Sequence, residues 1–264
     1  MKQILKNRRL IWKLAKNDFK KRYAGSYLGR VWALAQPVVT VIMYYIVFDK
    51  IFGTKAEMLS SGIEMPYVLF LTAGLVPWFY FSETMTNGMQ ALLEYSYLVK
   101  KVVFDIDILP LIKMIGASFI HVFFVCILVG MACCYGYFPT IYTIQLLYYS
   151  LCLFVLVLGI SYATCALVVF FRDLAQIIAI GLQIGMWATP VLWDLGRIGP
   201  KAQFLIKINP LVYIVSGYRN ALCERIWFFE DIYYTLYFWA VTLLLFWLGN
   251  RIFQKLKVHF SDVL

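Results

Sequence analysis

The chain has 264 residues, of which 62% are hydrophobic and 14% are charged, and its formal net charge is +10. A soluble domain of this length has about a quarter of its residues charged, so the composition excludes an ordinary soluble protein and indicates a membrane protein. Ten of the Lys and Arg residues lie within residues 1–30 beside one acid, Asp18. A basic cluster in front of an apolar run predicts membrane lipids, and not nucleic acid, as partners.

A basic amphipathic helix is predicted near the start of the chain, within residues 10–37. At 100° per residue, one face carries Lys13, Lys16 and Lys20, and the opposite face carries Ile11, Trp12, Ala15 and Phe19. Asp18 and Arg22 interrupt the apolar face. Because the helix leads into a hydrophobic span, we expect residues 1–30 to lie along the cytoplasmic membrane surface.

Six apolar runs with few charged residues follow, and crossing a hydrocarbon core about 30 Å thick takes about twenty residues. The predicted spans are 31–53, 67–93, 114–135, 143–171, 174–193 and 232–252. A Gly and a Pro at 136–139 supply the turn that divides a long uncharged run into the third and fourth spans. The fold class is therefore all-α integral membrane, with one transmembrane domain covering residues 1–264.

The positive residues predict the orientation of these spans. With the N-terminus in the cytoplasm, 17 of the 24 Lys and Arg residues fall on the cytoplasmic side. This asymmetry is what the positive-inside rule expects, and it places both termini in the cytoplasm of a multi-pass membrane protein.

The segment 194–231 lies between the last two predicted spans and is unusual. It is too polar to cross the membrane, yet it contains two short apolar stretches, each beside a Gly or a Pro. Apolar helices of about ten residues are typical of re-entrant or interfacial segments. Two interpretations are open: a pair of re-entrant helices that form an outer gate, or an ordinary extracytoplasmic loop.

The sequence offers little catalytic chemistry. His121 and His259 lack a nucleophile or acid partner in sequence, and no Gly-rich loop ends in Gly-Lys-Ser/Thr, so the chain is expected to bind no ATP by that route. The six cysteines have no metal-ligand spacing, and we expect no metal and no cofactor. Asp105 and Asp107 could hold a divalent metal in a membrane enzyme, but a pair of solvated loop charges explains them as well.

One acid, Glu83, interrupts the second span. Acids inside spans usually face the bundle interior or a cavity, because they cost about 3 kcal/mol at the helix centre. An aromatic run precedes it, consisting of Trp78, Phe79, Tyr80 and Phe81. Two interpretations are open: these rings line a path for sugars, or they pack in the core. The full set of channel or gate candidates adds Trp187, Pro190, Asn209, Pro210 and Tyr213 to these five residues.

Several motifs, taken in order, resemble the membrane-spanning permease subunits of ABC exporters for cell-surface polysaccharides, such as O-antigen, teichoic acid and capsular polysaccharide. The matching stretches are 18–32 (DFKKRYAGSYLGRVW) with Pro37, 73–78 (AGLVPW) with Phe81, 98–101 (LVKK) with Leu109-Pro110, 171–174 (FRDL) with Gln176, Thr189-Pro190, 209–211 (NPL) with Tyr218-Arg219, and 260–264 (FSDVL). The chain departs from the family after Phe104, where it has Asp105-Ile106-Asp107 instead of a Pro and a basic-acidic pair.

The resemblance implies a transport subunit, not an enzyme, in the bacterial plasma (inner) membrane. It implies a homodimer that works with two copies of a cytoplasmic ABC ATPase, on which ATP and Mg would be bound, and a lipid-linked glycan as substrate. It implies ATPase contacts for the basic helix and for the loop 95–104. We place the coupling residues at Lys13, Lys16, Lys20, Tyr95, Leu98, Lys100, Lys101 and Phe104.

Two alternatives to polysaccharide export remain open. One is a drug or small-lipid exporter of the same broad superfamily. The other is a membrane enzyme acting on polyprenyl-linked sugars, for which Asp105 and Asp107 would be the candidate active site.

Overall fold

The computed structural model describes residues 8–22, 29, 31–53, 56–58, 63–99 and 105–264. The helices are α1 (Arg8–Arg22), α2 (Val31–Tyr45, continued by a π-helical turn, Ile46–Ile51), α3 (Tyr67–Met89), α4 (Ala91–Glu94), α5 (Ser96–Val99), α6 (Leu109–Cys134), α7 (Gln145–Phe170), α8 (Leu174–Ala188), α9 (Pro200–Lys207), α10 (Pro210–Arg219, continued by a π-helical turn, Asn220–Glu224), α11 (Ile232–Leu256) and α12 (Phe260–Val263). Short 3-10 turns precede α6, α7, α9 and α12, at Ile106–Ile108, Ile141–Ile144, Leu195–Arg197 and Lys257–His259.

Among the described residues, five helices are long and apolar enough to cross a membrane. They are α2 with its π-helical turn, α3, and the three segments that contain α6, α7 and α11. Helix α8 is apolar but has only 15 residues. An all-α integral membrane fold is thus confirmed, whereas the count of six spans stays a prediction.

Two helix ends lie five residues away from the predicted span ends, and proline explains both. The predicted third span begins at residue 114, but α6 begins at Leu109, because Pro110 occupies the first turn where its missing N–H costs nothing. The predicted fifth span continues to residue 193, but α8 ends at Ala188. Thr189 is extended (φ −87°, ψ 139°), since a residue before proline disfavours the helical region.

A small β-hairpin occupies the region that follows the first span. Strand β1 (Ala56–Met58) pairs antiparallel with β2 (Glu64–Pro66), with Ala56 opposite Pro66. The Tyr137 hydroxyl, in the turn after α6, donates to the carbonyl of Glu64 at 2.8 Å. The hairpin and the α6–α7 turn therefore lie at the same end of the helices, as the predicted topology requires.

Helix α3 is the centre of the larger hydrophobic core, with most of its residues buried against α6, α7 and α10. Helices α7 and α11 cross at two glycines: a Cβ on Gly249 would lie 2.0 Å from the carbonyl oxygen of Gly159. Only glycine allows the two backbones to come this close. A second, smaller core lies at the opposite end from the hairpin, where α1, α4, the start of α6 and the C-terminal residues Phe253 and Phe260 meet.

Candidate functional site

A cleft of about 890 Å³ opens between α2, α3 and α6. Its walls combine apolar, aromatic and hydrogen-bonding side chains, among them Trp32, Gln36, Thr40, Phe79 and His121. Ala33 is the one buried residue of α2 within the described chain, while Trp32, Val39 and Met43 are exposed. The first span thus buries few side chains against the rest of the described chain and forms one wall of the cleft.

The aromatic run before Glu83 divides between two environments. Phe79, Tyr80 and Glu83 line the cleft. Trp78 and Phe81 contact each other, with their ring centroids 5.6 Å apart. Trp78 also packs against α8, where a Cβ on Gly185 would lie 3.1 Å from its ring. Successive residues of a helix point in different directions, so some members of this run border the cleft and others pack against neighbouring helices. That the rings beside the cleft line a path for sugars stays a prediction.

Glu83 forms an ion pair with Arg22 at the end of the cleft that faces α1. In the sequence, Arg22 interrupts the apolar face of the predicted amphipathic helix. In the structure it lies at the end of α1 and links that helix to the wall of the cleft. The acid in the second span is thereby compensated by a cation from outside the span, which lowers the cost of placing it there.

Asp18 lies on the buried face of α1 and is bound by two groups from other helices. Its Oδ1 accepts hydrogen bonds from Lys113 Nζ at 2.6 Å and from the Tyr95 hydroxyl at 2.5 Å. Lys113 Nζ also reaches Glu94 Oε2 at 2.5 Å. Lys113 comes just before the predicted third span, which begins at residue 114, yet it is only 4% exposed. Pro110 was the signal that could have placed it inside the third span, because proline marks the first turn of a helix.

The chemistry of Tyr95 follows from this contact. Burial, reinforced by the hydrogen bond to the Asp18 carboxylate, raises the pKa of Tyr95 well above its usual range. The phenol therefore stays protonated at physiological pH and acts as a hydrogen-bond donor, not as an acid.

A second charged centre lies at the junction of α3, α8 and α10. The guanidinium of Arg219 donates to the carbonyls of Pro190 and Val191, both at 2.8 Å, and to that of Phe70 at 3.4 Å. Its Cζ lies 3.5 Å from the centre of the Phe70 ring. A Cβ on Gly74 would lie 2.9 Å from Arg219 Nη2 and 2.8 Å from the carbonyl oxygen of Val191. Glycine is therefore required here for the close approach of α3.

Asparagine and proline build the entry to α10 at the same junction. Pro210 occupies the first turn of α10, and Asn209 Oδ1 accepts from the backbone N–H of Leu211 at 3.0 Å as the N-cap. Asn209 Nδ2 donates to Thr189 Oγ1 at 3.0 Å. Four of the quoted motifs thus meet at one place, which we call the Arg219 junction: 73–78, Thr189-Pro190, 209–211 and Tyr218-Arg219.

Two gate candidates lie elsewhere. The Tyr213 hydroxyl is within 3.1 Å of that of Tyr148 and 3.0 Å of Thr235 Oγ1, and its ring stacks on Phe238, so it packs between α10, α7 and α11. Trp187 is 63% exposed and borders an aromatic cavity of about 390 Å³ near Trp193. The structure does not bring these two residues into the cleft.

Only some of the predicted coupling residues lie in the part of the chain that the structure describes. Lys13, Lys16 and Lys20 are exposed on α1, and Leu98 packs against the smaller core. Lys100, Lys101 and Phe104 lie outside the described residues.

One of the two acids of the alternative active site, Asp107, is engaged in contacts with other side chains. Asp107 accepts from Lys257 Nζ at 2.6 Å and from Gln254 Nε2 at 3.1 Å, so it joins α6 to the C-terminal end of α11. Within the described ranges, no group of three or more His, Cys, Asp and Glu residues could hold a metal ion.

Comparison with known proteins decides the family. The model of the ABC-2 type transporter matches residues 9–223, from α1 to the end of the Arg219 junction. The chain belongs to this family. The ABC-2 match, together with the apolar helices, identifies a transport subunit that crosses the membrane several times.

Curated relatives match this ABC-2 chain over nearly its whole length. Two proteins of Klebsiella pneumoniae named O-antigen export system permease protein RfbA are 29% and 27% identical, each match covering 95% of this chain and 93% of the relative. A protein of the same name from Myxococcus xanthus is 26% identical over 99% of this chain and 98% of its own length.

Proposed function

We propose that the chain is the permease half of an ATP-driven exporter that moves a lipid-linked cell-surface polysaccharide across the bacterial inner membrane. The observation that carries this proposal is the lateral cleft of about 890 Å³, which combines apolar, aromatic and hydrogen-bonding walls. The names of the relatives, which are O-antigen export permeases, support a polysaccharide as the substrate class.

The substrate class fits the physical chemistry of the cleft. A lipid-linked glycan cannot cross hydrocarbon unaided, because its hydroxyl groups would lose their hydrogen bonds. Gln36, Thr40, Ser82, Thr86 and Asn87 offer replacement hydrogen-bond partners along the cleft. The lipid tail remains in the bilayer while the glycan occupies the cleft.

The permease works as a homodimer. Helix α8 has no residue buried against the described chain, and Ile177, Ile180 and Ile184 on it are exposed. Helix α2 presents a similar apolar face. Lipid covers such faces in a monomer, but a polar path needs walls on all sides, and a second copy of the chain supplies the missing ones.

The energy comes from two copies of a separate ABC ATPase that bind ATP and Mg. They dock on the cytoplasmic side, at the basic face of α1 and around residues 95–104, with both termini of the permease on that side. Closure of the ATPase pair moves the cytoplasmic helices as rigid bodies and changes access to the cleft.

The test deletes the chain in its host and measures glycan on both sides of the inner membrane. We expect surface polysaccharide to disappear and lipid-linked glycan to accumulate in the cytoplasm, with recovery on complementation. Recovery must fail when the partner ATPase carries an inactivated ATP site. Unchanged surface polysaccharide in the deletion strain would refute the proposal. If that strain instead loses the efflux of dyes or small lipids, the result favours the small-molecule exporter.

The membrane-enzyme alternative has its own test. Replacing both Asp105 and Asp107 with Asn should leave export largely intact if the chain is a permease, and abolish function if the pair is an active site.

A further inference from the structure

Five charged side chains form a continuous set between α1, the core and the cleft, and we call this set the charged cluster: Asp18, Arg22, Glu83, Glu94 and Lys113. They come from four helices, α1, α3, α4 and α6, whose cytoplasmic ends meet here. A cavity of about 290 Å³ lies beside four of them and is also bordered by Tyr95 and Asn87.

The geometry joins the cytoplasmic surface to the cleft through one helix. Lys113 bridges Asp18 on α1 and Glu94 on α4, at 2.6 and 2.5 Å. Arg22 bridges Asp18, at 3.8 Å, and Glu83, which borders the cleft. Arg22 contacts both Asp18 and Glu83, so it is a direct link between these two acids.

The packing of α1 makes this link rigid at one end. Helix α1 packs directly on α6 at Gly116, where a Cβ would be in ordinary contact, 3.7 Å from both the carbonyl oxygen of Ala15 and Asp18 Oδ2. Ile11 and Ala15 are buried in the smaller core beside Asp18. A buried charge held by such contacts has few alternative positions, because separating it from its partner leaves an uncompensated charge.

We infer that the charged cluster positions α1 against the mouth of the cleft, so that a displacement of α1 or of the segment after α4 changes the Arg22–Glu83 contact and with it access to the cleft. This inference rests on the proposed function and names the residues that carry the coupling inside the membrane domain. Its members are positioning residues, since the structure gives them contacts with one another and not with a reacting group.

The experiment is a double-mutant cycle on the complex of this chain with its ATPase, read as glycan exported per ATP hydrolysed. Asp18→Asn and Glu83→Gln keep the shape of each side chain and remove its charge. Each single variant should lower export per ATP about fivefold or more. The double variant should export no less per ATP than the poorer single variant, because both act through Arg22.

The matched control is Lys257→Gln, which breaks the ion pair with Asp107 at 2.6 Å on the same side of the protein but away from the cleft. It should leave export per ATP unchanged. The melting temperature of every variant is measured in parallel, and a loss of export per ATP that simply follows the melting temperature, control included, would overturn the inference. Additive effects in the double variant would overturn it as well.

If Asp18→Asn does not accumulate, Tyr95→Phe replaces it in the cycle, because it removes one hydrogen bond to Asp18 and keeps the ring. Additive effects of Tyr95→Phe and Glu83→Gln on export per ATP would also overturn the inference. A wild-type complex that hydrolyses ATP without exporting glycan would refute the proposed function. A wild-type complex that exports, with additive variants, would refute the charged-cluster inference alone.

Discussion

Replacing Arg219 with Gln should destabilise the protein more than any other single change of charge in the segment 194–231. The guanidinium makes two hydrogen bonds of 2.8 Å and one of 3.4 Å to backbone carbonyls, and it stacks on Phe70 at 3.5 Å. Hydrogen bonds to a charged group contribute about 1.5–3 kcal/mol each. The shorter side chain of Gln can replace at most one of the two short bonds.

The expected loss is therefore about 3–5 kcal/mol in the free energy of unfolding, which includes one unsatisfied buried carbonyl and the lost stacking. Arg219→Lys should lose less, about 2–3 kcal/mol, because the ammonium keeps the charge but lacks the planar fork that reaches two carbonyls at once. Both values exceed the usual effect of a surface substitution, about 0.5 kcal/mol.

The assay is denaturant unfolding of the purified protein in mixed micelles, with limited proteolysis between α8 and α9 as a local probe. Lys201→Gln is the matched control, since Lys201 is an exposed cation in the same segment. If Arg219→Gln lies within about 1 kcal/mol of the wild type, the guanidinium does not hold the junction together and the reasoning is wrong.

The remaining predictions concern helix packing and a buried polar contact. Gly249→Ala should cost about 3 kcal/mol or more, because the added Cβ would lie 2.0 Å from the Gly159 carbonyl oxygen, whereas Gly130→Ala, with nothing within 4 Å, should be neutral or slightly stabilising in the same unfolding assay. Tyr218→Phe should cost about 1–2 kcal/mol, because the hydroxyl lies 2.7 Å from Ser150 Oγ and 3.0 Å from His121 Nε2. A neutral Tyr218→Phe would mean that these two partners are satisfied without the phenol.

Some residues of the candidate site could be predicted from the sequence, and others could not. Glu83 was identified because an acid in an apolar run is rare, and it does border the cleft. The motif residues Pro190 and Asn209 belong to the resemblance, yet nothing in their local sequence says that Pro190 accepts a hydrogen bond from Arg219 or that Asn209 donates one to Thr189. An aromatic ring by itself does not distinguish a cleft wall from core packing or an exposed surface, so the sequence could not place the candidates Tyr213 and Trp187.

By itself, the sequence determined the all-α membrane class, the approximate positions of the long apolar helices and the basic amphipathic helix near the N-terminus. These features follow from local hydropathy, helical periodicity and proline, which a short window of residues contains. Only the tertiary structure decided which charges meet. Lys113 donates to Asp18, which lies 95 residues earlier in the chain, and Arg219 donates to the carbonyl of Pro190, 29 residues earlier. A buried charge is stabilised by an opposite charge or a carbonyl oxygen that the packing brings within about 3 Å. That distance depends on how the helices cross, so the sequence of a single helix does not contain it.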